Sequence, residues 1–182
     1  FEQACEIWAT VFPEDRSFFQ DRLDFDSTYM LDTTWIAKVD GQMVAAIQVF
    51  PYWTWYETKR LKVGGIGSVA TLPAYRRRGL AQQILRLQSR WMKTHGYDLS
   101  LLFTGIHSFY EQVGWSTLED IEYIIDKQFF FNHVEHSDYT VSLYETGDFQ
   151  EVMAIYECYN KFRTASMIRT KAYWEEQFQW QK

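Results

Sequence analysis

The sequence predicts an α/β fold with a mixed central sheet flanked by helices, and three features favour it. Residues 34–39 and 43–50 have strand patterns joined at Asp40-Gly41, a dipeptide typical of tight hairpins. Residues 62–71 and 98–104 are further strand candidates with a helical segment between them. That order needs a crossover connection, so these two strands should be parallel neighbours. Hydrophobic residues form 47% of the 182-residue chain, enough for a core.

Apolar spacing predicts the helices. One covers residues 1–12 and ends at Pro13, and a shorter one covers residues 16–22. The helix after Gly79 ends at His95-Gly96. Its predicted apolar stripe contains Leu80, Ala81, Ile84, Leu85, Leu87 and Trp91. Further along, we expect a short helix over residues 108–113, a strand-like stretch over 115–131, a strand over 139–144 and helices over 149–162 and 174–180.

Residues 64–81 are the most informative part of the chain. An apolar run ends at Thr71, a turn contains Pro73, and three arginines and a glycine then precede the long helix. Backbone N–H groups at a helix N-terminus lack intrahelical partners, and the helix dipole favours an anion there. The segment therefore predicts a site for a phosphorylated ligand, with a solvated basic turn as the alternative. A Rossmann fingerprint and a Walker A loop are both disfavoured, because Gly65-x-Gly67 lies inside the apolar run and no Gly-Lys-Ser/Thr follows.

Two motifs in order resemble the GCN5-related N-acetyltransferases (GNAT). Arg76-x-x-Gly79-x-Ala81 matches the family's Gln/Arg-x-x-Gly-x-Gly/Ala phrase, and residues 109–115 match Phe-Tyr-x-x-x-Gly-Phe/Trp. The Arg-Arg-Arg-Gly-Leu sequence of residues 76–80 is most similar to the corresponding motif of the enhanced-intracellular-survival (Eis) type. The resemblance implies the GNAT fold and acetyl-CoA as cosubstrate.

The resemblance also implies a set of site residues. The strand backbone would hold the pantetheine arm and polarise the thioester, and the following loop would hold the pyrophosphate. Tyr110 would be the general acid that protonates the coenzyme A sulfur. The cofactor-binding residues implied are Val69, Ala70, Thr71, Arg76, Arg77, Arg78, Gly79, Leu80 and Ala81.

The function that follows is an acetyl-CoA-dependent N-acetyltransferase acting on a primary amine of a small molecule, such as an amino sugar or a lysine-like compound. A non-catalytic acyl-CoA-binding or assembly module is the alternative. The general base stays open: the Eis resemblance implies a C-terminal carboxylate outside this chain, while His107 is a candidate within it. Asp26 and Glu57 could line the amine side, although nothing in the sequence singles them out.

Aromatic residues alternate across both faces of residues 51–57. Tyr52 and Tyr56 oppose Trp53 and Trp55, and a strand cannot bury both sets in one core. One set would then face the acyl-acceptor cleft or a partner subunit, which leaves a homo-oligomer open. The alternative is a strand buried between two layers.

Composition disfavours several classes of protein. The net charge of −6 is unfavourable for nucleic-acid binding and suits a cationic substrate. Only Cys5 and Cys158 are present, which predicts no disulfide framework and a cytoplasmic location. We expect no membrane span, because no apolar run approaches the necessary length. We expect no metal site either, since His133-x-x-His136 lacks a third ligand at suitable spacing.

The domain boundary is predicted near residue 137. Residues 1–137 would form the acetyltransferase domain, whose usual first strand would precede Phe1. Residues 138–182 would be either the start of a second GNAT-like domain, as the Eis resemblance implies, or a helical C-terminal extension. On this interpretation the chain is a fragment of a longer protein.

Overall fold

A mixed β-sheet forms the centre of the protein. The structure is a computed structural model that describes residues 1–27, 32–118, 124, 142–161 and 163–180. The helices are α1 (Glu2–Val11), α2 (Arg16–Phe25), α3 (Leu80–Thr94), α4 (His107–Glu111), α5 (Phe149–Asn160) and α6 (Lys171–Trp180). The strands are β1 (Thr34–Val39), β2 (Gln42–Tyr56), β3 (Lys59–Thr71), β4 (Leu99–Leu101) and β5 (Met167–Ile168).

The strand order is β1-β2-β3-β4, and β5 pairs with Trp53 and Thr54 in the C-terminal half of β2. All pairs are antiparallel except β3 and β4, which are parallel. The hairpin at Asp40-Gly41 is confirmed, and both residues have positive φ (50° and 79°), as a tight turn of this kind requires. The predicted crossover connection and the mixed α/β sheet are confirmed.

Helices cover both faces of the sheet. On one face, called the α1 face below, Trp8 of α1 and Phe19 of α2 pack against Ala46 and Ala70. On the other, called the α3 face, helices α3 and α4 pack against Ala45, Ile47 and Val49 of β2. Because side chains alternate along a regular stretch of strand, the residues of β2 and β3 away from the register shifts can each be assigned to one face.

Several predicted elements differ in extent. Strand β2 continues through residues 51–56, so the aromatic stretch is part of it. The strand predicted at residues 98–104 is shorter in the structure, where β4 covers only Leu99–Leu101. In α3, Leu87 is 50% exposed, whereas Gln88 and Met92 are buried, so the predicted stripe was wrong at Leu87. The buried positions 84, 85, 88 and 92 follow the helical repeat more closely.

The C-terminal predictions are met in part. Helices form at Phe149–Asn160 and Lys171–Trp180, so the second begins three residues earlier than predicted. Residues 115–118 and 142–145 have no regular secondary structure. The rest of the predicted strands at 115–131 and 139–144, except Ile124, lies outside the described residues, as do His133 and His136. Within the part of the chain that is described, no helix has the length and apolar character of a membrane span.

Candidate functional site

The strands β3 and β4 form a fork. Their pairing ends at Gly65 and Leu101, but β3 continues for six more residues to Thr71. Beyond Gly65, the edge of β3 on this side has no strand partner among the described residues. Such an edge offers backbone N–H and C=O groups to an extended ligand. Val69, Ala70 and Thr71, the residues predicted to hold the pantetheine arm, lie on this unpaired part of β3.

A β-bulge interrupts β3 within the fork. The register passes from Gln48↔Gly67 to Ala46↔Ala70, so Ile47 of β2 stands opposite both Ser68 and Val69. Ser68 has a φ of 51°, the left-handed conformation of an extra residue in a bulge. A bulge redirects the backbone groups next to it. The irregular backbone thus coincides with the segment predicted to contact the thioester.

The loop between β3 and α3 ends in an uncapped helix N-terminus. A 3₁₀ turn at Pro73–Tyr75 reverses the chain, and Arg77 and Gly79 then have φ values of 61° and 72°. Gly79 is the N-cap residue of α3, and no side chain caps the helix. The first backbone N–H groups of α3 therefore lack side-chain acceptors, and the helix dipole adds positive potential. This geometry suits a pyrophosphate group.

The three arginines have different surroundings. Arg76 donates from Nε to the carbonyl of Thr71 (3.1 Å), and Arg78 donates to the carbonyl of Ala74 (3.3 Å). The Arg78 guanidinium also lies 5.0 Å from the centre of the Tyr75 ring. Both side chains thus brace the loop. Arg77 is exposed and has no hydrogen-bond or ion-pair partner in the part of the chain that is described, which leaves its charge available to an anion.

Tyr110 lies on α4 and packs into the core of the α3 face. It is 8% exposed and meets the rings of Phe109 and Trp115 edge-on, at centroid distances of 5.0 and 6.4 Å. Its hydroxyl has no hydrogen-bond partner among the described residues. Burial raises the pKa of Tyr110 above its usual range, so the phenol stays protonated at neutral pH. Tyr110 shares its core cluster with Ile66, the first residue of β3 beyond the pairing with β4, and a protonated phenol there could donate its proton to a thiolate.

Hydrogen bonds connect α4 to the first turns of α3. Gln82 donates to the side chain of Gln112 (2.9 Å), and Arg86 donates to the Gln112 carbonyl (3.2 Å). Gln112 directly follows α4, and the Trp115 amide bonds back to the Tyr110 carbonyl. These bonds fix Tyr110 relative to the α3 N-terminus. The two sequence motifs are therefore joined in space.

The candidate base His107 and the two carboxylates that could line the amine side lie in other settings. His107 is exposed and contacts the hydroxyl of Thr117 at 3.3 Å. Asp26 is buried and forms an ion pair with Arg22. Glu57 is in the turn between β2 and β3, at the opposite end of β3 from the bulge. Glu57 is therefore remote from the bulge, and Asp26 already has a charge partner in Arg22.

A cleft of about 500 Å³ opens elsewhere, on the α1 face. Its lining includes Glu2 and Glu6 of α1, Gln42 of β2, and Leu72 at the start of the α3 loop. Two of its lining residues adjoin the loop before α3: Leu72 begins that loop, and Gln42 accepts a hydrogen bond from the Tyr75 hydroxyl (3.2 Å). No group of His, Cys, Asp or Glu suited to a metal ion occurs among the residues with described positions.

Sequence comparison identifies the family. The profile described as "Acetyltransferase (GNAT) domain" matches residues 1–118, which is more than half of the chain. The chain therefore belongs to the GNAT acetyltransferase family, and the GNAT fold is confirmed. No curated protein sequence matches this chain significantly.

Solved structures have the same fold. A probable N-acyltransferase from Enterococcus faecalis superposes with a TM-score of 0.53 at 21% identity, over 62% of this chain and 29% of that one. Eis1 from Mycobacterium abscessus gives a TM-score of 0.57 at 15% identity, over 90% of this chain and 44% of that one. A GNAT acetyltransferase from Brucella melitensis, in complex with acetyl-CoA, gives 0.53 at 16%, over 64% and 76%. The chain thus matches less than a third of the Enterococcus protein.

Sequence reasoning missed the packing role of two glycines. Gly65 and Gly67 were considered only as part of a nucleotide-binding fingerprint. A Cβ built at Gly67 would lie 2.6 Å from Cε2 of Phe50, and one at Gly65 would lie 3.2 Å from Cε1 of Tyr52. Both glycines therefore leave room for aromatic rings on the α1 face of β3. The sequence did contain a signal, because two glycines two residues apart in a predicted strand lie on the same face and leave that face open.

Proposed function

We propose that this chain is an acetyl-CoA-dependent N-acetyltransferase that acetylates a primary amine of a small molecule, such as an amino sugar or a lysine-like compound. The main observation behind the proposal is the fork between β3 and β4. The unpaired part of β3 contains the bulge at Ser68, and the loop after it ends at the uncapped N-terminus of α3. Membership in the GNAT family and the acetyl-CoA complex of the Brucella relative support it.

Each predicted site residue has a role in this proposal. The backbone of Val69, Ala70 and Thr71 binds the pantetheine arm and the thioester carbonyl. The backbone from Arg76 to Ala81, including Gly79 and Leu80, binds the pyrophosphate. Arg77 adds a direct charge contact, while Arg76 and Arg78 hold the loop in shape through Thr71 and Ala74.

Tyr110 completes the chemistry. Acetyl-CoA supplies the acetyl group: the amine nitrogen forms a bond to the carbonyl carbon as the carbon–sulfur bond breaks, and the sulfur leaves as a thiolate. Tyr110 gives its hydroxyl proton to that sulfur. The new amide nitrogen releases one proton to water, and the tyrosinate regains a proton from solvent, so the protons balance. General acid catalysis of this kind contributes about 10²–10⁴-fold to a rate.

The remaining assignments are also proposals. We propose an Eis-type relationship, supported by the arginine phrase and by the superposition on Eis1 across 90% of this chain. Residues 138–182 either begin a second domain or extend the first one. The pairing of β5 with β2 supports an extension. A cytoplasmic location is supported by the free cysteines Cys5 and Cys158.

Titration calorimetry with acetyl-CoA, followed by turnover on an amine panel, tests the proposal. We expect binding and the release of free thiol with at least one primary amine. Tyr110→Phe should lower kcat about 10²-fold or more with an unchanged Kd for acetyl-CoA. Absence of acetyl-CoA binding would refute the proposal, and binding without turnover on any amine would favour the non-catalytic alternative.

A further inference from the structure

The aromatic stretch of β2 separates onto the two faces of the sheet. Val49 packs on the α3 face, so Trp53 and Trp55 also point to that face. Phe50 packs against the cluster on the α1 face, so Tyr52 and Tyr56 point there. The tyrosine pair and the tryptophan pair therefore contribute to surfaces on opposite faces of the sheet.

Tyr52 reaches from β2 across β3 to the base of the fork. Its ring lies over Gly65, where a Cβ would be 3.2 Å from Cε1. Gly65 is the last residue of β3 that pairs with β4, and its partner is Leu101. Tyr110, by contrast, packs among Ile84 and Leu85 on the α3 face. Two tyrosines thus approach the fork from opposite faces.

An apolar surface adjoins Tyr52 on the α1 face. Leu102 packs into the α3-face core, so Leu99 and Leu101 point the other way, and they are 45% and 38% exposed. The packed cluster under α1 and α2 reaches Phe50, which the Arg22 guanidinium covers at 4.2 Å. The Tyr52 ring lies over Gly65, whose partner across the β3–β4 pairing is Leu101, so the register brings Tyr52 and Leu101 together on this face.

The hydroxyl of Tyr52 is not used by the fold. It has no hydrogen-bond partner among the residues whose positions are described, although the side chain is half-buried. Burial raises the pKa of Tyr52, which keeps the hydroxyl uncharged. An uncharged phenol oxygen can accept a hydrogen bond from an amine N–H. A polar atom at the edge of an apolar surface suits a ligand that is apolar along its length and polar at its tip.

We propose that Tyr52 binds the acceptor, and that the acceptor is a primary amine at the end of an unbranched hydrocarbon arm. The arm lies against the Tyr52 ring, Leu99 and Leu101, and the amine donates a hydrogen bond to the Tyr52 hydroxyl. In this arrangement the amine enters the fork from the face opposite Tyr110. The inference rests on the proposed acetyltransferase function and narrows its substrate class.

The chain length of the amine provides the test. With the whole protein and saturating acetyl-CoA, kcat/KM should rise about threefold per methylene from ethylamine to hexylamine, because each methylene buries apolar area. Tyr52→Phe removes only the hydroxyl. It should lower kcat/KM about three- to tenfold for every amine, through KM, and leave the dependence on chain length and the KM for acetyl-CoA unchanged. Tyr52→Ala should also flatten the dependence on chain length.

Tyr56→Phe is the matched control, because Tyr56 lies on the same strand and face but is exposed and distant from the fork. It should behave like the wild-type protein. Wild-type kinetics in Tyr52→Phe would overturn the role of Tyr52, and a preference for glucosamine over hexylamine would overturn the alkylamine class. If the wild-type protein bound acetyl-CoA but acetylated no amine, both the proposed function and this inference would be refuted. That outcome differs from the two above, in which the wild-type protein is an active acetyltransferase.

Discussion

Gly79 shows how one residue can serve stability and binding through different physical effects. Its φ of 72° is in the left-handed region, where most residues with a Cβ are strained by about 1–2 kcal/mol. The space around it is open, since a Cβ would meet only the end of the Gln83 side chain at 3.9 Å. The backbone conformation, not crowding in the free protein, therefore favours glycine here. A bound phosphate would add the second demand, close approach to the backbone.

Substituting Gly79 by Asp and by Asn separates these effects. Both side chains tolerate the left-handed conformation better than most residues with a Cβ, so both variants should melt at similar temperatures, near that of the wild type. Only Asp adds a negative charge beside the proposed pyrophosphate site. Gly79→Asp should therefore bind acetyl-CoA at least about tenfold more weakly than Gly79→Asn in titration calorimetry. Equal affinities for the two variants would place the phosphates elsewhere.

At the scale of elements, the β3–α3–β4 unit was predictable because its signals are local. Strand and helix periods, the Pro73 turn and the glycine before α3 are all read within a few residues. The buried side of α3 was harder to predict. Gln88 is fully buried because it reaches across the interface and donates to the carbonyl of Ile47 (3.4 Å), while the apolar Leu87 faces outward. A contact between segments so far apart in the chain cannot be predicted from the local pattern of apolar residues.

The same distinction applies to the candidate site. The loop before α3 and Tyr110 were found from motifs, and the structure joins the elements that contain them. The bulge at Ser68 and the placement of Tyr52 over Gly65 depend on the register between β2 and β3. Register is set by pairing and turns across the sheet, so the aromatic alternation alone could not assign Tyr52 to a face.

Two leucines on α3 test which face of the helix is packed. Leu85 is fully buried and Leu87 is 50% exposed. Leu85→Ala should lower the free energy of unfolding by about 2–5 kcal/mol, because it leaves a cavity in the core. Leu87→Ala should change it by less than about 1 kcal/mol, since it loses little buried area and alanine favours helices. Urea unfolding of the two variants measures this, and a similar loss in both would show that the packing of α3 is misassigned.

At the scale of the whole molecule, buried tyrosines make stability depend on pH at the alkaline end. Burial raises the pKa of Tyr52, Tyr97, Tyr110 and Tyr173 from the usual value of 10.0. The folded protein thus binds these protons more tightly than the unfolded chain does. The stability that results is complete below the unfolded pKa and is lost as pH rises through the folded values.

We therefore expect the free energy of unfolding to fall as the pH rises above about 10. Urea unfolding at a series of alkaline pH values, combined with the absorbance of tyrosinate, measures this loss. Tyr110→Phe should make the decline shallower, because it removes one of the four groups. Stability that stays constant until all tyrosines have ionised would contradict the burial of these side chains.

The C-terminal segment bears on how the whole chain unfolds. Strand β5 pairs with Trp53 and Thr54 of β2, and the Thr54 hydroxyl donates to the Ser166 carbonyl (2.8 Å). Glu176 of α6 accepts a hydrogen bond from the Ser27 amide, just beyond α2 (3.4 Å). The segment that includes β5 and α6 therefore shares backbone hydrogen bonds with the sheet and its helices. Shared bonds of this kind couple unfolding across the two parts.

We expect one cooperative unfolding transition, with coincident urea curves from tryptophan fluorescence and far-UV circular dichroism. Thr54→Val should shift both curves together, by about 1 kcal/mol, because it removes a buried hydrogen bond. Thr94→Val, at the exposed end of α3, is the control and should shift them by less than about half as much. If residues 163–180 were an independently folding unit, an earlier transition would appear, and Thr54→Val would move only that transition. Coincident curves that move together would support a C-terminal extension of the acetyltransferase domain.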